Sequence, residues 1–447
     1  DEAVRMAFND FHGLSAIIIL STKTQELIAV RNGSPLIIGH GKNENYLASD
    51  VQALIPYTRR VYFLRDNELA VLTPKTVSYK NILSGDPVQP NIEQINWTFA
   101  QTTLGSYPHY MLKEIYEQPA IISEINTRKE EHIKLASVIK KAYGTYMLGC
   151  GSAAYIAIAG SYLFSKIAKH HVNTAIGSEF GYQLDFLTDK SLVIALSQSG
   201  ETMDTLESVK KAKAKGANIA ALVNVLGSTL YREANHKILI GAGPEKAVAS
   251  TKALTGKLAH LTLLAYALAG RINKGQEVVL MAVKSTHELL KNRRVAEIIK
   301  IARKLRLIQH IYVIGRGLSY PAALETAIKI KEITYIHAEG MAAGELKHGP
   351  LALIEKGSIC IAFLPNDETY GANLAGAMEM RARGGIIIGI SYSPHEIFDH
   401  YVHVTDAREA TIIPNIIVGQ LLAYYLAIER GLDPDKPRNL AKSVTVK

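Results

Sequence analysis

Leu192-Val193-Ile194-Ala195-Leu196-Ser197-Gln198-Ser199-Gly200-Glu201-Thr202 passes from an apolar run through a polar turn into a helical pattern. Five consecutive apolar residues ending in Ser, Gln, Ser and Gly read as a buried strand, a loop and a helix start. Hydroxyls, a side-chain amide and the free backbone N–H groups of a helix N-terminus converge at such a joint. That combination suits a phosphate monoester, since orphan donors and the positive end of the helix dipole point at it. A Walker A loop is excluded, because Gly200-Glu201-Thr202 puts a carboxylate where the lysine belongs. The competing reading is an ordinary helix cap, with Ser199 or Thr202 satisfying the first amides and no ligand involved.

Working outward, the same pattern occurs twice. Gly149-Cys150-Gly151 follows one short apolar run and Gly315-Arg316-Gly317 another; Glu179 and Glu345 each follow the first glycine by thirty residues. A further apolar strand comes next in both copies, Leu192 to Leu196 and Ile359 to Leu364. Two tandem copies of one doubly wound α/β domain with a parallel sheet are the economical explanation. A dinucleotide fold is excluded, as neither copy completes Gly-x-Gly-x-x-Gly. The copies differ in chemistry. Only the first has the Ser/Gln/Ser/Gly/Glu/Thr loop, while the second offers Pro365-Asn366-Asp367 there and places Glu325, Lys329 and Glu332 at i, i+4 and i+7, on one helix face. His348 follows in a Gly/Pro-flanked loop.

Upstream, residues 1 to 80 are β-rich, with strands expected at 16–20, 26–30, 61–64 and 69–72; so few strands make a poor core and suggest the back part of a domain. The chain opens on Asp1 without a methionine, as expected if it begins inside a larger protein. Residues 81 to 129 read as a linker and lead-in helix, and 276 to 305 as one charged helical stretch.

Composition bounds the rest. A length of 447 residues suits two or three domains, and 48% hydrophobic with 20% charged residues describes a globular chain. The formal net charge of +9 is spread over helices such as 210–215, so nucleic acid is not an expected partner. Two cysteines, Cys150 and Cys360, rule out a disulfide framework and favour a cytoplasmic location. No run of eighteen apolar residues suggests a membrane span, and 254–269, interrupted by Lys257 and His260, comes closest. Cofactor and metal are not expected, since no His/Cys/Asp cluster shows ligand spacing.

With these residues in hand the chain closely resembles the glutamine:fructose-6-phosphate aminotransferases over essentially its whole length. The resemblance rests on His109-Tyr110-Met111 with 113–119, the 196–202 loop, Ala249-Ser250-Thr251-Lys252, Glu339 with 343–350, and the tail 437–446. It implies two sugar isomerase (SIS) domains, 130–275 and 300–438, and a C-terminal active-site tail, 439–447. Residues 1–80 would be part of an N-terminal-nucleophile glutaminase. The implied activity is amino transfer to fructose 6-phosphate and isomerisation to glucosamine 6-phosphate. Ser152, Ser197, Gln198, Ser199 and Thr202 match phosphate-binding positions, and Val248, Ser250 and Ala441 line the sugar. Glu332 resembles the base that moves a proton between C1 and C2, assisted by Lys329. His348 resembles the ring-opening acid/base, delivered by a second subunit in the family, so a homodimer is implied. Lys442 resembles the amine that forms a Schiff base, and Asp50 a remnant of the glutamine pocket.

Two departures stand out. Ser152 is followed by Ala153, where the family has a second hydroxyl, and the glutaminase cysteine nucleophile is missing, so glutamine hydrolysis is not expected of these residues. A non-catalytic phosphosugar sensor and an ammonia-dependent or isomerase-only enzyme are the alternatives.

Overall fold

The computed structural model describes residues 1–95 and 103–442; part of the expected linker and the tail from Ser443 onward lie outside the described residues. Eight strands precede residue 96: β1 (Ser15–Ser21), β2 (Glu26–Asn32), β3 (Ile37–His40), β4 (Asn45–Ala48), β5 (Arg60–Phe63), β6 (Glu68–Leu72), β7 (Val77–Asn81) and β8 (Glu93–Gln94). They form two four-stranded sheets, ordered β1-β2-β6-β7 and β4-β3-β5-β8, with antiparallel ladders throughout. The four expected strands are present. The unit nevertheless has a real core, because β3, β4 and β7 add to it: Ala29, Ile38, Tyr62, Leu64 and Ala70 are fully or almost fully buried between the sheets. Strand pairing also continues beyond residue 80.

The remainder holds two five-stranded parallel sheets. The first comprises β9 (Thr145–Gly149), β10 (Asn173–Ile176), β11 (Leu192–Ser197), β12 (Asn218–Val223) and β13 (His236–Leu239). The second comprises β14 (His310–Gly315), β15 (His337–Ala342), β16 (Ile359–Leu364), β17 (Ile386–Ser391) and β18 (His400–His403). Their orders, β10-β9-β11-β12-β13 and β15-β14-β16-β17-β18, are the same topology used twice. Both sheets consist of near-continuous apolar strands, as burial on both faces requires: every residue of β11 and β16 is buried.

The repeated Gly-x-Gly now has a physical cause. A Cβ on Gly149 would lie 2.7 Å from the Cβ of Ala153, and one on Gly315 would lie 2.1 Å from the Ser319 carbonyl oxygen, so the following helix could not pack back. The second glycines, Gly151 and Gly317, sit at φ +54° and +58°, a left-handed turn that other residues adopt at a cost.

One continuous hydrophobic core runs between the two sheets, drawing on the Lys252–Leu268, Ser319–Thr334 and Ile412–Glu429 helices. The last of these, within 408–429, is the one helix among the described residues long and apolar enough to cross a membrane, and 89% of its apolar window is buried inside the protein. It replaces 254–269 as the most apolar segment; a proline and an asparagine near its start mask it in sequence. Its Gly419 lets it approach the Ser319–Thr334 helix so closely that an added Cβ would meet Thr326 Oγ1 at 2.2 Å. The charged stretch 276–305 is two helices, Ile272–Leu289 and Asn292–Leu305, because Lys291 is extended (ψ 143°) and breaks the ladder.

Candidate active site

In a doubly wound sheet, ligands sit beyond the carboxyl ends of the strands where the chain order reverses. In the first sheet that switch point lies between β9 and β11, which pair in parallel from Leu192↔Thr145 to Ala195↔Leu148. The loop 197–202 leaves one of these strands and Ser152 follows the other.

The loop is arranged for something other than capping. Thr202 occupies the N-cap position of the Met203–Ala214 helix but makes no side-chain cap bond. Instead Ser197 Oγ accepts the Gly200 amide (2.9 Å) and Ser199 Oγ accepts the Glu201 amide (3.1 Å). Ser197 Oγ also shares a 3.3 Å hydrogen bond with Thr202 Oγ1, while Ser199 is oriented by the loop with its own proton available, and the helix's first amides keep their donors. Gln198 braces the loop, its carbonyl accepting the Asn224 amide (3.1 Å), and the Asn224 side chain holds Ala242 and Gly243. Glu201 turns away: it accepts the Thr229 amide at 2.8 Å, and burial pushes its pKa up.

The second copy supplies the ionisable groups. Lys329 reaches out of the Ser319–Thr334 helix and donates to Ser152 Oγ at 3.0 Å, stitching the two copies together. It donates to Glu332 at 2.6 Å and lies 3.3 Å from Glu325 Oε1, without the alignment of a hydrogen bond. Lys329 is 1% and Glu325 0% exposed, so these are interior ion pairs and not a solvated face; Glu332, 25% exposed, faces the opening. Burial raises the Glu325 carboxyl to about 7, with Lys329 opposing and Glu332 adding to the rise. Burial alone would strip the Lys329 proton, but the carboxylates of Glu325 and Glu332 outweigh it and raise its pKa.

The tail completes the arrangement. Lys442 Nζ donates to Glu245 Oε2 (2.8 Å) and to the Ala247 carbonyl (2.7 Å). Ser250 Oγ donates to the same Glu245 oxygen at 2.9 Å, and the Val248 amide donates to the Asp435 carbonyl at 3.1 Å. A cavity of about 670 Å³ between the N-terminal unit and the first sheet is lined by Asp50, Gln198, Ser199, Glu245 and Lys442 among others. The structure thus gathers the loop, the tail lysine and Asp50 around one opening, while Ser152, Lys329 and Glu332 form a linked group beside β9. Ala441 is exposed next to Lys442. His348 ends the Ala343–His348 turn after β15, exposed and without a hydrogen-bond or ring partner among the described residues. Among the described residues no cluster of His, Cys, Asp or Glu is placed to hold a metal ion.

Sequence reasoning missed three buried groups. Glu245 is wholly buried; burial would raise its pKa, but the Lys442 ammonium and the Thr251 and Ala253 amides hold it near 2. Glu114 accepts the Lys246 and Ala247 amides and is pushed to about 8 by burial and by Glu245. Lys257, also fully buried, is lowered to about 8 by burial, with Glu245 and Glu325 opposing. The charged pair Glu245-Lys246 in an otherwise apolar and glycine-rich 240–249 stretch was the available signal.

The SIS domain family matches residues 139–267 and 304–430. The glutamine–fructose-6-phosphate aminotransferase (isomerizing) of Thermococcus kodakarensis is 41% identical over the whole chain, which spans 76% of that relative, and a Thermus thermophilus enzyme of the same name is 38% identical with the same coverage. Among solved structures, the C-terminal domain of glucosamine-fructose-6-phosphate aminotransferase from Francisella tularensis superposes with a TM-score of 0.67 at 32% identity, covering 74% of this chain and 99% of its own. Tagatose-6-phosphate ketose/aldose isomerase from Escherichia coli, at 15% identity and TM-score 0.63 over 74% of this chain and 95% of its own, shares the fold. On full-length identity of this order, with both parallel-sheet units matching SIS domains, the chain belongs to the family of isomerising glutamine–fructose-6-phosphate aminotransferases.

Proposed function

We propose that the chain aminates fructose 6-phosphate and isomerises the product to glucosamine 6-phosphate. The observation that carries this reading is the meeting of two different chemistries at one seam: an anion-binding loop on the first copy, and the Glu325/Lys329/Glu332 group of the second, joined by the 3.0 Å Lys329–Ser152 contact. A sensor has no use for the second group.

In this reading Ser197, Ser199, Thr202 and Gln198 hold the phosphate, with Ser152, Val248, Ser250 and Ala441 along the sugar. His348 of a second copy opens the ring, which makes the working unit a homodimer. Lys442 adds through its neutral amine to the C2 carbonyl and water leaves, giving an imine; ammonia then adds to that imine and displaces the Lys442 amine, leaving the new nitrogen on C2. Glu332, the most accessible carboxylate of its group, carries the proton between C1 and C2, and Lys329 orients it through their 2.6 Å hydrogen bond. Asp50 belongs to the amino-group end of a glutamine pocket. Cys150 and Cys360 both lie within the SIS units, so for these 447 residues we expect ammonia and not glutamine to supply nitrogen.

The test is one assay run two ways: fructose 6-phosphate with ammonium, then with glutamine, following glucosamine 6-phosphate and glucose 6-phosphate. Product with ammonium supports the reading. Binding without either product points to a sensor, glucose 6-phosphate alone to an isomerase, and product from glutamine overturns the assignment of the nitrogen donor.

A further inference from the structure

Glu245 ties Lys442 to the start of the Lys252–Leu268 helix. Its Oε1 accepts the Thr251 (2.8 Å) and Ala253 (3.2 Å) amides at the start of the Lys252–Leu268 helix. Its Oε2 accepts Ser250 Oγ and Lys442 Nζ. Four donors on one fully buried carboxylate leave it no freedom to move. The segment that carries it is equally fixed. Glu114 takes the Lys246 and Ala247 amides, Asn224 holds Ala242 and Gly243, and the Val248 amide reaches Asp435, whose own carboxylate accepts the Tyr110 and Met111 amides at 2.8 Å. Lys442, by contrast, hangs on a chain end whose neighbours Leu440 and Ala441 are exposed. Such a terminal lysine has no fixed position of its own.

We infer that Glu245 is the positioning residue for Lys442: it fixes the amine of the C-terminal tail at the mouth of the phosphate loop, in the cavity that both residues share with Ser199. This rests on Lys442 being the imine-forming amine. The two acceptors, Glu245 Oε2 and the Ala247 carbonyl, define the Nζ position from two sides, and a misplacement of about 1 Å in a reacting group is enough to cost about a hundredfold in rate. The remaining charged groups that reach the site are Glu114, Lys252, Lys257, Lys329 and Glu325 on the elements packed around it, with Arg31, Asp50, Glu201 and Arg232 lining the shared cavity.

Substitution separates this role from helix capping. In Glu245→Gln the amide oxygen still accepts the Thr251 and Ala253 amides, but an NH2 group now faces the Lys442 ammonium in place of a carboxylate. The experiment is borohydride trapping of the sugar adduct, with the modified lysine located by mass spectrometry, alongside kcat and KM for fructose 6-phosphate with ammonium. We expect adduct formation at Lys442 and kcat to fall about thirtyfold or more in Glu245→Gln, with KM within about threefold, because the phosphate loop is untouched. Glu245→Asp, which keeps the charge but shortens the reach, should trap at an intermediate rate. It also decides the matter if the glutamine variant does not fold: about a fivefold or greater loss at unchanged KM supports the role, and wild-type trapping overturns it. Wild-type trapping in Glu245→Gln, or equal loss in kcat and rise in KM, overturns it too. If the wild-type protein gives product but no adduct at Lys442, the assignment of Lys442 itself is wrong and the role of Glu245 falls with it.

Discussion

Replacing Lys329 by methionine should change how stability depends on pH, by an amount the structure sets. In the wild type Glu325 is held at about 7 in the folded state by burial opposed by Lys329, against about 4.3 for an unfolded glutamate. Between those values the folded chain keeps a proton that the unfolded chain has released, so the Glu325 contribution to stability falls by about 1.4 kcal/mol per pH unit as pH rises, then levels off above 7. Lys329→Met removes the group that lowers Glu325 and leaves a carboxyl at 0% exposure without its ion-pair partner, Lys257 being the remaining cation that acts on it. Its folded pKa then moves further up, and the decline continues past pH 7. Relative to wild type, the variant should lose about another 1.4 kcal/mol between pH 7 and 8, on top of a pH-independent loss of about 1 kcal/mol for the missing bond to Ser152. Urea unfolding followed by circular dichroism at pH 6, 7 and 8 measures this, and the double variant Glu325→Gln/Lys329→Met should abolish the extra slope. Parallel pH curves for wild type and Lys329→Met would refute the claim that Lys329 is what lets Glu325 ionise.

Glu332→Gln should eliminate turnover while fructose 6-phosphate still binds within a few-fold of wild type by calorimetry; lost binding would reassign it to substrate recognition. Ser199→Ala should weaken binding of the sugar phosphate by about 1 to 2 kcal/mol, the scale of one hydrogen bond to a charged acceptor, whereas unchanged affinity would place the phosphate elsewhere. Gly200→Ala forces a side chain onto φ +71° and 2.1 Å from Ser228 Oγ, so it should cost about 1 to 3 kcal/mol of stability together with the binding, and a wild-type thermal midpoint would contradict the loop geometry. His132 and His260, bonded to each other at 2.9 Å, are depressed by burial, His132 to about 4 and His260 well below the usual imidazole range. The unfolded chain therefore takes up protons first, so this pair's contribution to stability drops as pH falls from about 6.5 toward 4, while the raised Glu114 and Glu325 carboxyls act in the opposite sense; replacing both histidines by asparagine should make stability in urea titrations fall less over that range than in the wild type.

Much of the architecture was open to reading because it depends on local regularities. The thirty-residue spacing exposed the duplication, since both copies meet the same steric demand at Gly149 and Gly315. The 197–202 loop showed itself as a hydroxyl-rich turn after a strand. What escaped depended on distant contacts. Glu325, Lys329 and Glu332 could be placed on one helix face, but whether that face was wet or dry depended on distant residues of the first copy, Ser152 and Lys257 among them, meeting it. Glu245 gave only a charge beside Lys246 in an apolar stretch, because its donors come from Ser250, Thr251, Ala253 and Lys442. The short strands β3, β4 and β7 hid among turn residues, where four or five residues carry too little periodicity to stand out.

The bridge from Lys329 to Ser152 implies a division of labour between twin modules. One twin carries the hydroxyl-rich loop proposed to hold the phosphate, while its neighbour's equivalent turn is Pro365-Asn366-Asp367, whose carboxylate is spent on the Thr369 amide and hydroxyl. Neither half, separated from the other, would be a weaker version of the whole; each would be a tool without its counterpart.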